Sequence, residues 1–524
     1  MRPAGVAASS AGASARRLDT SPPIGPSAGG AEPGPGAPPL PWPPPRHPPP
    51  GRTFLSQVAG VGQGAPAALW LDADRRVAWA RSDGEALAGL PHFAPKAKRV
   101  VCLFQSGGFS HVDLFDYKEN LHKQHGQELP PSVKGTQRIT GMTSGQSAFP
   151  VVAPLWGGRR CGDQQTWISD LLPHLQTVAE ELCFVKSMHT EAINHDPGIT
   201  MMNTGNQQPG YASMGSWLSY GLGSGNEDLP TFVAMVSQGS GKNPGQPIFS
   251  RLWGSGFLPS SHQGVGLRPG ANPVLYLADP AGTTRPQRRD LLDDLSQLNA
   301  MYLEQSGDPE TLARIRAYEM AFRMQASVPE LTDASGETRA TLDAYGPDVH
   351  KPGSYAANCL LARRLLERGV RFVQLFHRGW DQHIAITRQL PNQCRDVDQP
   401  TAALLKDLRQ RGLLEDTLVL FLTEFGRTVF SQGAIGAPAM GRDHHGRSFT
   451  VWLAGAGVQA GIDYGQTDDF CYNIVDKPVH VRDLHATILH CLGIDHRRFT
   501  YKFRGLDTKL TGVEEAHVVR DILA

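Results

Sequence analysis

The chain has 524 residues, 40% of them hydrophobic and 19% charged, enough to bury a sizeable core in one large domain or two ordinary ones. Lys plus Arg equals Asp plus Glu, 50 each, so no global field draws the chain to nucleic acid or to an anionic membrane surface. No apolar stretch approaches the roughly 18 residues of a membrane-spanning helix, which argues against an integral membrane segment. The seven cysteines form neither close pairs nor zinc-finger spacings and read as small buried hydrophobes.

In chain order, the first element is a low-complexity segment. Fifteen of the 41 prolines fall within residues 1–50, among Gly, Ala and Ser, a composition that cannot bury enough surface to offset chain entropy and predicts disorder. Residues 51–94 begin with Gly51-Arg52-Thr53-Phe54-Leu55 and include Val77-Ala78-Trp79-Ala80, whose Ala-x-Ala ending has the form of a signal cleavage site. Two readings stand: a degenerate twin-arginine export signal with Gly51 in place of the first arginine, or a plain linker. The first puts the protein in the periplasm or outside the cell and its true start downstream of Met1; the second leaves it cytoplasmic.

From residue 95 to 524 the pattern is that of one globular α/β domain. Arg99 to Phe104 reads as a buried strand entering the Ser106-Gly107-Gly108 turn, and Asp170 to Leu182 as a helix running into a strand from Cys183 to Met188. Between about 285 and 330 lies a helical insertion of two amphipathic helices, one lined by Leu291, Leu295, Leu298 and Tyr302, the other by Leu312, Ile315, Tyr318 and Phe322 and opened by Asp308-Pro309. Then a helix from Ala356 to Arg368, a strand from Val370 to Phe376, a helix from Thr401 to Arg411 and a strand from Thr417 to Thr423 alternate in the manner of parallel strands with crossover helices.

Sites in such sheets form at the carboxyl ends of the strands. There the chain carries Asp381 and His383, then Glu424 and Arg427, and about twenty residues later the run Asp443-His444-His445. Carboxylates and imidazoles arriving from several loops suit zinc, manganese, calcium or magnesium. Any one of these elements alone is as well explained by an ordinary polar loop; their recurrence at successive strand ends favours a metal or anion site.

The motifs Leu103-Phe104-Gln105-Ser106-Gly107-Gly108, Asn194-His195-Asp196-Pro197, Gly379-Trp380-Asp381-Gln382-His383, Thr423-Glu424-Phe425-Gly426-Arg427 and Gly441-Arg442-Asp443-His444-His445 together resemble an uncharacterised bacterial family, domain of unknown function 1501. That family is sulfatase-like and belongs to the alkaline phosphatase superfamily. The resemblance covers residues from about 85 to the end. It implies a three-layer α/β sandwich with a mostly parallel central sheet. It also implies a metal-dependent hydrolase acting on a small sulfate or phosphate ester, or a non-catalytic binding protein that keeps the fold.

Carried over by position, Asp381, His383, Glu424, His444 and His445 become metal ligands, and Arg427 faces the anion. His195 occupies the sulfatase nucleophile position and stands as nucleophile or ligand. Ser106, Gly107, His189 and Asn194 line the pocket. Ser106 and Phe425 depart from the phosphatase pattern where a second metal would need an aspartate and a histidine, so the resemblance implies one divalent ion. Near the end, Val481 to Leu489 resembles a core helix of sulfatases.

Overall fold

The computed structural model describes residues 86–240, 248–270, 273–274, 277, 279 and 282–524. The segment expected to be disordered, and residues 51–85 of the signal or linker, lie outside these. Within the described part, Leu87 donates its N–H to Gly221 O at 2.8 Å, and Leu87 and Leu90 pack on the core.

The strands of the main sheet and of the ribbon beside it are β1 (Arg99–Ser106), β2 (Leu182–His189), β3 (Phe232–Ser237), β4 (Val265–Leu267), β5 (Phe372–Arg378), β6 (Thr417–Leu422), β7 (Gly426–Gln432), β8 (Gly441–His445), β9 (Phe449–Gly455), β10 (Ile462–Tyr464) and β11 (Val479–His480). The principal helices are α1 (His195–Thr204), α2 (Met214–Leu222), α3 (Arg285–Ser306), α4 (Pro309–Thr332), α5 (Tyr355–Glu367), α6 (Ile386–Gln410) and α7 (Val481–Cys491). Nine strands form one sheet in the order β10-β2-β9-β6-β1-β5-β3-β4, with β11 also on β2. All its pairings are parallel except those made by β9. Strands β7 and β8 form a separate antiparallel ribbon.

The central strands are apolar on both faces because both faces are covered. Along β1, Val101 and Leu103 enter one core with residues of α4, α5 and α6, while Val100, Cys102 and Phe104 enter the other with residues of α1, α2 and α7. Helix, sheet and helix therefore make the expected three-layer α/β sandwich.

Several elements differ from their sequence readings. The stretch around 175–181 is a 3-10 turn with a non-helical Val178, so the four-residue apolar spacing there reflects core contacts without a regular helix. Helix α6 starts at Ile386 and continues through Pro391 and Pro400, fifteen residues before the expected start at Thr401. In α3 the expected apolar face is turned outward: Leu291, Leu298 and Tyr302 are exposed and Leu292 is buried, because the helix packs chiefly on α4, where Arg289 pairs with Glu319. The Asp308-Pro309 start of α4 is as expected, with the Asp308 side chain accepting the Glu310 N–H.

Candidate metal centre

Neighbouring strands β6, β1 and β5 end side by side and hand the chain to the loops that carry the polar residues. Strand β1 ends in Ser106-Gly107, where the chain turns tightly against the loop from β5. A Cβ on Gly107, at φ +125°, would sit 2.6 Å from Asp381 N and 2.8 Å from Trp380 N. On the other side of that loop a Cβ on Gly441 would lie 2.2 Å from His383 O. The Asp381–His383 segment is therefore clasped between two glycine backbones, which fixes where its side chains emerge.

Four side chains converge there: His195 from the first turn of α1, Asp381 and His383 from the loop after β5, and His444 from β8. One ligand atom from each lies within 4.8 Å of all the others. Asp381 Oδ1 is 3.2 Å from His195 Nε2, 3.1 Å from His383 Nε2 and 3.4 Å from His444 Nε2. His383 Nε2 and His444 Nε2 stand 2.9 Å apart.

The far side of each ring is what gives the cluster its character. His195 Nδ1–H donates to Glu424 Oε1 at 2.8 Å, His383 Nδ1–H to Gln432 Oε1 at 2.6 Å and His444 Nδ1–H to the Ile193 carbonyl at 2.7 Å. With Nδ1 carrying the proton, His383 and His444 as neutral rings present an Nε2 lone pair to the centre, and His195 does so once its Nε2 gives up a proton, the arrangement second-shell acceptors impose on metal-ligating histidines. Two such lone pairs facing at 2.9 Å repel each other. A cation between them removes that conflict, so these residues fit a metal ion.

Charge and burial treat the three rings differently. Burial, aided by Arg427, pushes the His383 imidazole below its ordinary value, and burial pushes His444 down to about 3, so both are neutral at pH 7. Burial opposes the charge on His195 as well, but the Asp381 and Glu424 carboxylates outweigh it and raise that ring to about 8. Asp381 pays for its own burial through Arg427 and His195, which hold its carboxyl far below the carboxylate range. It is also the most open of the four, its side chain 25% exposed.

The other expected site residues are distributed as follows. Glu424 is fully buried behind the His195 ring and accepts further hydrogen bonds from Gly107 N at 2.8 Å and Thr423 Oγ1 at 3.2 Å. Arg427 is fully buried as well: it donates to Asp381 Oδ1 at 2.7 Å, to the Gly107, Gly108, Trp380 and Arg442 carbonyls, and to no open face. His445 points away from the cluster, with Nε2–H donating to Tyr472 O at 2.7 Å and its ring stacked on Tyr472, because consecutive residues of β8 face opposite sides. His189 packs edge-on against His480, outside the cluster. Asn194 is the exposed N-cap residue of α1, and Ser106 is buried with no hydrogen-bond partner for its Oγ among the described residues.

Three supporting residues had no local signal in the sequence. Gln432 orients His383, while Thr140 and Thr143 donate to Asp443, whose Oδ1 is 3.8 Å from His383 Nδ1. Thr140 reaches Asp443 across 303 positions of chain, a contact that spacing cannot reveal.

The fold has measurable likeness to solved structures. Alkaline phosphatase from the Antarctic bacterium TAB5 is 12% identical, with 71% of this chain and 94% of that one covered at a TM-score of 0.27. The PsFucS1 sulfatase from Pseudoalteromonas sp. is 12% identical, with 76% and 68% covered at 0.30. A protein in the alkaline phosphatase superfamily from Vibrio parahaemolyticus is 10% identical, with 81% and 76% covered at 0.31. No curated protein matches the chain. Residues 97–523 match the family described as "Protein of unknown function (DUF1501)", and the chain belongs to that family.

Proposed function

We propose that the protein is a mononuclear metal-dependent hydrolase of small sulfate or phosphate esters. The observation that carries this reading is the set of three imidazoles with Nδ1 committed to an acceptor and Nε2 turned toward one point beside the Asp381 carboxylate. His195, Asp381, His383 and His444 are the proposed ligands. A divalent ion held there would supply Lewis-acid polarisation of an ester oxygen and would acidify an attacking water.

The chain's own residues prepare that chemistry. Glu424 fixes the tautomer of His195 and, through it, offers a route for a proton away from the centre. Arg427 fixes Asp381 from behind and, in this reading, positions a ligand without meeting substrate. His195 is assigned to the ligand role because its Nε2 shares the Asp381 oxygen with the two other rings. Glu424 and His445 are left out of the ligand set, the first committed to His195 and the second to Tyr472.

A second reading rests on the number of donors. Four protein ligands can complete a tetrahedral shell, as in structural zinc sites, leaving no position for substrate. Metal analysis of the purified full chain, with turnover of 4-nitrophenyl sulfate and 4-nitrophenyl phosphate, separates the two. Stoichiometric metal and turnover, both lost in Asp381→Ala and His444→Ala, support the hydrolase; metal with no turnover of either ester supports the closed site. Protein that takes up no divalent metal overturns both.

A further inference from the structure

The groups around the cluster carry few cations, and this bears on the substrate's charge. Asp381, Glu424 and Asp443 each touch or adjoin one of the three rings, and among the described residues the one guanidinium in contact with the four proposed ligands is Arg427. With the three imidazoles neutral, as metal ligands must be, three formal negative charges and one positive leave the cradle at minus two, which a divalent ion cancels. Arg427 has its donors turned to Asp381 and backbone carbonyls and is fully buried, so it offers nothing to an incoming anion. Arg251 is paired with Asp196 at the start of α1, and that pair adds no net charge.

Resting on the hydrolase reading above, we infer that this site takes singly charged tetrahedral esters, a sulfate monoester or a phosphodiester, in preference to a dianionic phosphate monoester. A cradle that is electrically balanced once loaded can pair one substrate charge with the ion. The second charge of a dianion is left near Asp381, Glu424 and Asp443 with no cationic partner. An unpaired charge in a partly desolvated site is strongly disfavoured, because such a site screens the repulsion far less than water does.

The test uses the full chain loaded with Co2+, whose visible absorption reports on ligands that reach the ion whether or not they react. It is titrated with 4-nitrophenyl sulfate, methyl 4-nitrophenyl phosphate and 4-nitrophenyl phosphate at about pH 8, where the last is a dianion because its second pKa lies near or below about 6. At least one of the two monoanions is expected to bind about tenfold or more tighter than the dianion, and which one it is identifies the ester class. Equal or tighter binding of the dianion overturns the inference, as does a spectrum that no ester perturbs. Nitrophenolate release is followed in parallel: selective monoanion binding without release defeats hydrolysis and leaves the charge preference standing. Fastest turnover of the dianion defeats the charge preference and leaves hydrolysis standing. In Asp443→Asn, which removes one of the three negative charges, the gap between monoanion and dianion should narrow; a gap that widens or stays the same counts against the inference.

Discussion

Glu424 illustrates how one carboxylate can matter to a metal centre that it does not touch. Both its oxygens are occupied, by Gly107 N, His195 Nδ1 and Thr423 Oγ1, and it keeps the His195 proton on the side away from the centre. Glu424→Gln keeps the size but lets the amide NH2 face Nδ1, favouring the wrong tautomer. Metal affinity should fall about 10- to 100-fold, measured by competition with a chromogenic chelator; unchanged affinity would mean that Glu424 does not orient the ring. His445 makes a contrasting case one residue along from a proposed ligand. His445→Gln should leave metal stoichiometry unchanged while costing about 1–3 kcal/mol of stability through the lost bond to Tyr472 O. Loss of metal in that variant, with the fold intact by circular dichroism, would return His445 to the ligand set.

At the scale of elements, the site depends on how the strand ends and α1 are held. Arg442 leaves β8 beside the cluster and closes a buried ion pair with Asp113 at 2.8 Å, its other donors reaching the Thr428, Val429, Val152 and Ala153 carbonyls. Removing one partner leaves the other charge uncompensated, so Arg442→Met should lose about 3–5 kcal/mol in denaturant unfolding; Asp113→Asn together with Arg442→Met should recover part of that loss. Helix α1, which presents His195, is anchored by α7: the buried His485 donates Nε2–H to Met202 O at 2.8 Å. Burial pushes this imidazole down to about 4. The unfolded chain binds a proton at about 6.5 and the folded one only near 4, so the stability tied to neutral His485 is complete above the first value. It falls as pH drops through this window and is gone below it. In His485→Asn, which can still donate to Met202 O, the stability-against-pH curve should be flatter between these values. An unchanged acid limb would mean that other groups set it.

Taken whole, the molecule joins the site from chain positions hundreds of residues apart, so a bound ion should report on global stability. A ligand that binds the folded state alone adds about 2.7 kcal/mol at 100 times its Kd. EDTA should therefore lower the melting temperature of the full chain, and added divalent metal should restore it; identical melting with and without chelator would show that no ion is held at the folded site. The sequence by itself determined the layered α/β architecture. The runs Val100 to Phe104 and Leu418 to Leu422 are apolar on consecutive residues, which suits strands covered on both faces, and Gly369 and Gly412 punctuate the helices between them. It also placed Asp381, His383, Glu424 and His444 at strand ends, because the boundary between an apolar run and a polar loop is local information.

Which of those side chains meet was decided only by tertiary structure. Alternation along β8 separates His444 from His445, burial turns Arg427 inward, and Gln432, Thr140 and Thr143 arrive from segments with no pattern of their own. The physical reason is range: backbone propensity and apolar periodicity act over a few residues. The direction of an imidazole lone pair depends on an acceptor such as the Ile193 carbonyl, 251 positions away from His444, that only the folded chain brings within reach.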